Sequence, residues 1–551
     1  MTRSRRGLLP RALAALALVG LLAACTPAAN STPTDSSSSD ASDTLVVAIP
    51  ALGSKWGMPD TADDGLLPIL TNVRATLIRK PYVETGADTV PGQDLYSFGP
   101  YLAKSYDVSE DGLTYTFHLR DDITSAAGNP LTVDDVIWSY ERKFGAEGGQ
   151  TPEVNAPAIT SASQFSKVDD STVAVTIASA SDGLLLLAVM ADYTGYIYDS
   201  VLLKEHATAD DPYALAWSDS NPNFGFGPYS VGDYVAGQSV DLVKNPGFPS
   251  DLGTGPNEVR MRVIPDAGTR FNALSSGDVD MALNLEPQDL AELADSSTIT
   301  VPTAAKSNAW LIMSMLTNKA PFDDTLVRQA MSYAIPYDQI IDNVYFGRAT
   351  RGTGGLLDPD APGYTDENLT VYDYDPAKAK ELLAQAGHPD GISFTLTVDS
   401  TVPELESAAV QMKTAAAESG LDISIEKVSQ SVFFEGRGDH TPQAFLTRDY
   451  AISLVPSYEL RLYTHPDSRN NLADWTSTEF ENLVTAAEAE PDPLSDAAGV
   501  KWSAAENYLV NESPLNFVAA IQPALAYSST VDGFVWRTDQ FVDYTQITKS
   551  K

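Results

Sequence analysis

The chain has 551 residues, with 35 Lys and Arg against 74 Asp and Glu, a formal net charge of −39 and 43% hydrophobic residues. A surface that acidic repels nucleic-acid phosphates and anionic lipid head groups, which excludes nucleic acid as a partner. Its single cysteine, Cys25, excludes an internal disulfide and thiol redox chemistry within the chain, and a chain of this length can build a core without such a staple.

Arg3, Arg5, Arg6 and Arg11 precede a 13-residue run of apolar and small residues, 12–24. A membrane-spanning helix needs about 20 apolar residues, so 1–24 reads as a secretory signal peptide. The run ends Leu22-Ala23-Ala24-Cys25, which resembles the bacterial lipobox. That resemblance implies diacylglycerol on the Cys25 thiol, cleavage before it and anchoring to the outer face of the cell membrane. Arg5-Arg6 loosely resembles a twin-arginine signal, so the export route stays open. Residues 25–43, with the run Ser36-Ser37-Ser38-Ser39, have little to bury and read as a disordered tether reaching about 20–25 Å. Beyond Asp43 no apolar run is long enough to cross a bilayer, so the body reads as soluble.

Helical and strand patterns then alternate, which favours an α/β class. Thr44–Ile49 is a buried strand stopped by Pro50. Leu113, Tyr115, Phe117 and Leu119 alternate with polar residues, the period of a half-buried strand, after the turn Ser109-Glu110-Asp111-Gly112. Thr132 caps a helix with Val133, Val136, Ile137 and Tyr140 on one face. A strand at 259–264, a helix at 269–276 closed by Gly277 and a strand at 279–285 form a β-α-β unit, which predicts a parallel pair. Helices follow from Asp324, from Asp338 after Pro336, from Asp375-Pro376 and over 404–420, the last between strands at 394–398 and 423–428.

Several blocks together carry a resemblance. They are Pro100-Tyr101-Leu102-Ala103-Lys104-Ser105-Tyr106, then Asp111-Gly112-Leu113-Thr114-Tyr115-Thr116-Phe117, then Pro130-Leu131-Thr132-Val133-Asp134-Asp135-Val136. Gly227-Pro228-Tyr229, Ser276-Gly277-Asp278-Val279-Asp280, Pro321-Phe322-Asp323-Asp324 and Tyr374-Asp375-Pro376 follow in order. The chain resembles the peptide/nickel group of extracellular solute-binding proteins, the receptors of ABC importers. The blocks themselves are core strands, helix starts and turns, so they mark a fold and not a site.

The resemblance implies a two-lobed periplasmic-binding-protein-like fold of type II with a satellite domain. Lobe I would comprise 44–72, 217–303 and 517–551, its satellite 73–216 and lobe II 304–516. Crossings near 303 and 517 would form the hinge, and a solute touching both lobes would favour the closed state. The implied partners are a peptide or other mid-sized polar solute and the permease subunits of an importer, with the receptor a monomer.

The same resemblance implies the site residues. Ser54, Lys55 and Trp56 follow the first strand, where similar proteins place ligand contacts; Trp56 is either a lid aromatic or a loop anchor. Asn308 and Trp310 begin the strand after the first crossing. Phe433, Phe434, Arg448, Asp449 and Tyr450 lie where oligopeptide-binding members carry an aromatic and, three residues later, an Asp for the peptide α-amine. By spacing Tyr450 takes the aromatic position and Ser453 the acid's. A neutral hydroxyl cannot pair an ammonium as a carboxylate does. Asp449 or Glu459 is available as a substitute, against the plainer reading of either as a solvated surface acid.

No motif of a metalloprotease, serine hydrolase or phosphate-binding loop is present, and no two of the five His lie within four positions. The reading is therefore a receptor with no catalytic residue, metal or cofactor, although His440 and His465 could meet in space. The alternative is an exported hydrolase of peptides or glycans, because 74 acids offer many carboxylate pairs.

Overall fold

The computed structural model describes residues 44–57, 65–146, 158–352, 355–466, 468 and 470–550. The expectations for the signal peptide, Cys25 and the tether lie outside these residues. Thr44–Ile49 is the central strand of a seven-stranded sheet and runs parallel to both Glu258–Val263 and Met281–Leu283. Leu45, Val47 and Ile49 face one apolar cluster and Ala48 another, the near-continuous burial of a strand covered on both sides. The β-α-β unit has the expected direction, but its two strands are not neighbours, since Thr44–Ile49 sits between them. Its helix, Ala267–Ser276, is capped by Asp266, which accepts from the Thr269 amide at 2.8 Å, and ends at Gly277 with φ 78°, the left-handed stop glycine tolerates. The hairpin Tyr229–Val235/Ser239–Lys244 and the strands Leu525–Ser528 and Ile299–Thr300 complete the sheet.

Residues 73–216 give no strand to that sheet. They hold a four-stranded antiparallel sheet ordered Ala103–Val108, Thr114–Leu119, Thr172–Thr176, Phe165–Asp169. Tyr115, Phe117 and Leu119 point into its core, as their spacing predicts. Helix Val133–Gly145 packs against it. Its start is a full capping box: Thr132 Oγ1 accepts from the Asp135 amide, and the Asp135 carboxylate accepts from the Thr132 amide at 2.8 Å.

The second large sheet has six strands in the order Ala349–Arg351, Leu515–Ile521, Ala309–Met315, Ala444–Tyr450, Ile392–Asp399, Leu421–Val428. All seven residues of Ala309–Met315 are buried. Leu311, Met313 and Met315 face helices Thr325–Ala334, Pro376–Gln385 and Pro403–Ala416. Trp310 and Ile312 face the other way, into an apolar body that also contains Leu185, Val189, Met190 and Ile197 of the satellite region. The side of the sheet carrying Trp310 is thus the side turned to the rest of the molecule.

The chain passes between the two large sheets twice, from Thr300 to Ala309 and from Ile521 to Leu525. The second passage lies past the expected 517, because Leu515–Ile521 is one unbroken strand paired with Ala309–Met315. The passages are tied together. The Gln522 side chain accepts from the Ala304 amide at 2.8 Å and donates to the Ala304 carbonyl at 3.2 Å, and Arg348 donates to the Pro302 and Pro523 carbonyls. Among the described residues no helix is long and apolar enough to cross a membrane.

Candidate functional site

The segment 444–464 is where the sheets, the satellite and the C-terminal residues meet. Strand Ala444–Tyr450 pairs antiparallel with Ala309–Met315, setting Trp310 opposite Asp449. Helix Pro456–Thr464 follows, its N-terminus fixed by proline. Eight of its nine residues are buried, Glu459 included.

Contacts from distant parts of the chain converge here. The Lys80 ammonium, 1% exposed, donates to Asp192 Oδ2 at 2.5 Å, to the Ile452 carbonyl at 2.9 Å and to Thr538 Oγ1 at 3.2 Å. Asn308, fully buried, donates to the Ala451 carbonyl and to the Thr538 carbonyl at 2.8 Å, and its Oδ1 accepts from Gln540 at 2.6 Å. Tyr96 donates to Asp358 Oδ2 at 3.1 Å and reaches the Leu454 carbonyl at 3.4 Å. Each of these side chains joins 451–454 to a segment outside the six-stranded sheet or to the passage leading into it.

Between these struts lie buried polar atoms with no hydrogen-bond partner: Trp310 Nε1, Tyr463 Oη, both Glu459 carboxyl oxygens and Asp192 Oδ1. Buried polar groups are almost always satisfied, so such a group marks a place for water, an ion or a ligand. Trp310 and Tyr463 both stand edge-on to Phe517, with ring centroids 5.6 Å apart in each pair. Glu459 lies one helical turn before Tyr463 on the same face. Burial, then the neighbouring Asp358 and Glu506, pushes the Glu459 carboxyl well above the usual carboxylate range. Burial also pushes Glu506 up to about 7.

The expected site residues are placed as follows. Trp56 is 1% exposed, stands edge-on to Tyr234 at 5.4 Å and receives an Arg74 hydrogen bond on its carbonyl. It packs on its own loop and Tyr234, while Ser54 and Lys55 beside it are exposed. Asn308 precedes its strand and is spent on the 451 and 538 segments. Phe433 packs edge-on to Phe445 at 5.9 Å as core, leaving Phe434 the exposed member of the pair. Arg448 is ion-paired with Glu404 at 2.9 Å and Asp449 with Arg437 at 2.9 Å. Ser453, fully buried, accepts from the Val455 amide at 3.3 Å and so serves the turn into the helix. Glu459 is no solvated acid. Tyr450 is half-buried against Phe541 at 6.2 Å. His440 faces the Asn471 carbonyl. Among the described residues no group of three His, Cys, Asp or Glu could hold a metal ion.

Sequence reasoning missed Lys80 and Asp192. Arg79-Lys80-Pro81 reads as a surface turn, and nothing local announces partners 112, 372 and 458 positions away.

Residues 97–471 match the family model of bacterial extracellular solute-binding proteins, family 5, middle region. The chain belongs to family 5. Heme-binding protein A of Haemophilus influenzae is 33% identical over 317 residues, 55% of this chain and 56% of that protein. The chain thus spans little more than half of that relative's length. The dipeptide-binding protein of Escherichia coli is 28% identical over 420 residues, 71% of this chain and 76% of its own. Among solved structures, the periplasmic binding protein DppA of Helicobacter pylori, in complex with the peptide STSA, superposes with a TM-score of 0.78 at 24% identity, covering 92% of this chain and 98% of that one. A dipeptide-binding protein of Pseudoalteromonas in complex with Met-Leu also gives 0.78, at 21% identity. The likeness fixes the fold as the two-lobed, type II architecture of family 5. Its mixed α/β sheets are those described above, joined by the passages at 300–309 and 521–525.

Proposed function

We propose that this family 5 protein is the substrate-binding component of an ABC-type importer, taking a peptide or similar mid-sized polar solute between its lobes and presenting it to the permease. The observation that carries the reading is the set of unpartnered buried donors and acceptors on Trp310, Tyr463 and Glu459, at the point where distant segments close on 451–464. The names of its relatives, which bind dipeptides, glutathione and heme, support a solute of that size. The protein acts by binding and release, without turnover. Glycan cleavage calls for two carboxyls flanking the scissile bond. The buried acids Glu459 and Glu506 lie on helices Pro456–Thr464 and Asp496–Glu512, both within 304–521.

In this reading lobe I takes 44–72, 217–303 and the residues after 521, with 73–216 as its satellite and the intervening 304–521 as lobe II. Cys25 carries the lipid, the receptor is a monomer, and its acidic surface docks on a complementary permease face.

The test is native mass spectrometry of the protein purified gently from rich medium, followed by denaturation and identification of what is released. One defined small molecule or a set of short peptides at one per chain supports the receptor. Release of cleavage products from an added peptide or glycan, with no retained solute, overturns it. The intact mass of detergent-extracted protein, with or without a diacylglycerol adduct lost in Cys25→Ala, decides the anchor.

A further inference from the structure

The satellite meets lobe II through more than the struts at 451–454. Its helix Gly183–Met190 is apolar along its whole length. Leu186 and Val189 of that helix, both buried, share one apolar cluster with Leu462 and Val484, which lie on helices Pro456–Thr464 and Thr478–Glu488 of lobe II. Removing such faces from water favours the contact, and parting the lobes re-exposes them.

Asp182 stands at the start of the satellite helix. It is 8% exposed and makes no capping hydrogen bond. From lobe II it faces one cation that is already taken. Arg461 donates to both Glu488 carboxylate oxygens at 2.6 Å and lies 3.6 Å from Glu481. From its own side the nearest titratable group is the Tyr115 hydroxyl, against which Gly183 leaves no room for a Cβ. The other acids at this contact are matched: Asp192 has Lys80 and Asp358 has Lys306. Asp182 instead brings a third carboxyl to a single guanidinium. Burial, then the Glu488 carboxylate, pushes it up to about 6, against the pull of Arg461.

We propose that the satellite is a latch on lobe II that acid sets: with Asp182 neutral its helix seats on helices 456–464 and 478–488, and with Asp182 ionised the repulsion from Glu488 and Glu481 parts them. The inference rests on the two-lobed receptor reading and adds how its closure is controlled. With the lobes parted, Asp182 is an exposed acid with its ordinary value of 3.8; with them closed it keeps its proton to about 6. Between those values the closed state holds a proton that the open state has lost. Closure is therefore strongest below the lower value and weakens as pH rises through the higher one. The full change in the ratio of open to closed chains is at most about a hundredfold. A solute that touches both lobes binds the closed state, so its affinity falls over the same window.

The test needs no solute. Cys25 is the only cysteine, so the full chain with Cys25→Ala accepts a fluorophore pair at Val168→Cys and Val410→Cys, exposed positions on the satellite and on lobe II. Single-molecule energy transfer then counts closed and open chains. The open-to-closed ratio is expected to rise at least about tenfold between pH 4.5 and 7. Asp182→Asn is expected to stay closed at both values. Glu488→Gln, which removes the repelling charge and frees Arg461, is expected to shrink the shift, and it decides the matter if Asp182→Asn does not fold. Populations that ignore pH overturn the inference, as does a shift that survives both substitutions. Either result leaves solute binding to be judged by mass spectrometry, whereas a latch that responds to pH in a chain that retains no solute counts against the receptor reading alone.

Discussion

The start of helix Val133–Gly145 and the helix Pro456–Thr464 both bury an acid, in opposite ways. Asp135, 1% exposed, accepts from the Thr132 amide and hydroxyl at 2.8 and 2.7 Å and from the Ser200 amide at 2.8 Å. Glu459, equally buried, has no well-formed hydrogen bond on either oxygen, and only the Asp358 backbone amide is near enough to ease its charge. The first arrangement is complete and structural: its donors are supplied by the same turn and one neighbour. The second is incomplete, and its surroundings are held by struts from segments far away in the chain. In the proposed receptor reading, a solute and closure of the lobes would complete such groups.

Removing a strut is the harshest way to break that contrast. Lys80→Met takes the cation from fully buried Asp192 and the donor from Ile452 and Thr538. Leaving one member of a buried pair unmatched costs about 3–5 kcal/mol, read as a drop in the urea midpoint. The double variant Lys80→Met/Asp192→Leu is expected to recover most of that loss. If the single variant loses less than about 1 kcal/mol, the pair is not a strut.

The next test acts through pH. Burial raises Glu506 from 4.5 to about 7 in the folded protein. Between those values the folded state holds a proton that the unfolded state has lost, so stability falls as pH rises through this window, by about 3 kcal/mol from this group. Glu459, raised by the same cause, adds its own decline from the same starting pH. Glu506→Gln is expected to make the stability curve less steep between pH 4.5 and 7 while the Glu459 decline remains. An unchanged slope in that window would mean that Glu506 is ionised when folded.

The complete site is expected to give a smaller, local response. Thr132→Ala removes the cap of the Asp135 amide and one donor to the Asp135 carboxylate. The cost is about 1–2 kcal/mol, with no effect on solute affinity. A larger loss, or weaker binding, would mean that the satellite sheet is coupled to the cleft.

The same contrast explains what the sequence made legible. Thr132 and Asp135 are three positions apart, and Asp266, Thr269 and Gly277 lie within one helix, so periodicity and capping rules find them. The strand Thr114–Leu119 announces itself by alternation. The struts carry no such signal. Asn308 binds residues 143 and 230 positions away, and Tyr96 one 262 away. Trp56 and Phe433 were legible as aromatics, but which face an aromatic presents depends on tertiary neighbours that local pattern does not encode. Ser453 takes the position of the family's acid by spacing, and its missing charge does not point to Glu459, because helix Pro456–Thr464 is buried nearly all round and has no polar face to read.

The mildest variant sharpens the comparison most. Trp310→Phe deletes a buried N–H that makes no hydrogen bond and keeps an aromatic ring edge-on to Phe517. Removing an unpartnered donor relieves a desolvation cost that offsets part of the lost indole packing. The expected change in stability is therefore small, under about 1 kcal/mol. If the N–H is reserved for the solute, affinity measured by calorimetry falls about five- to tenfold, the worth of one hydrogen bond. A stability loss of several kcal/mol with unchanged affinity would make Trp310 a packing residue and move the solute's contacts toward Tyr450 and Ser54.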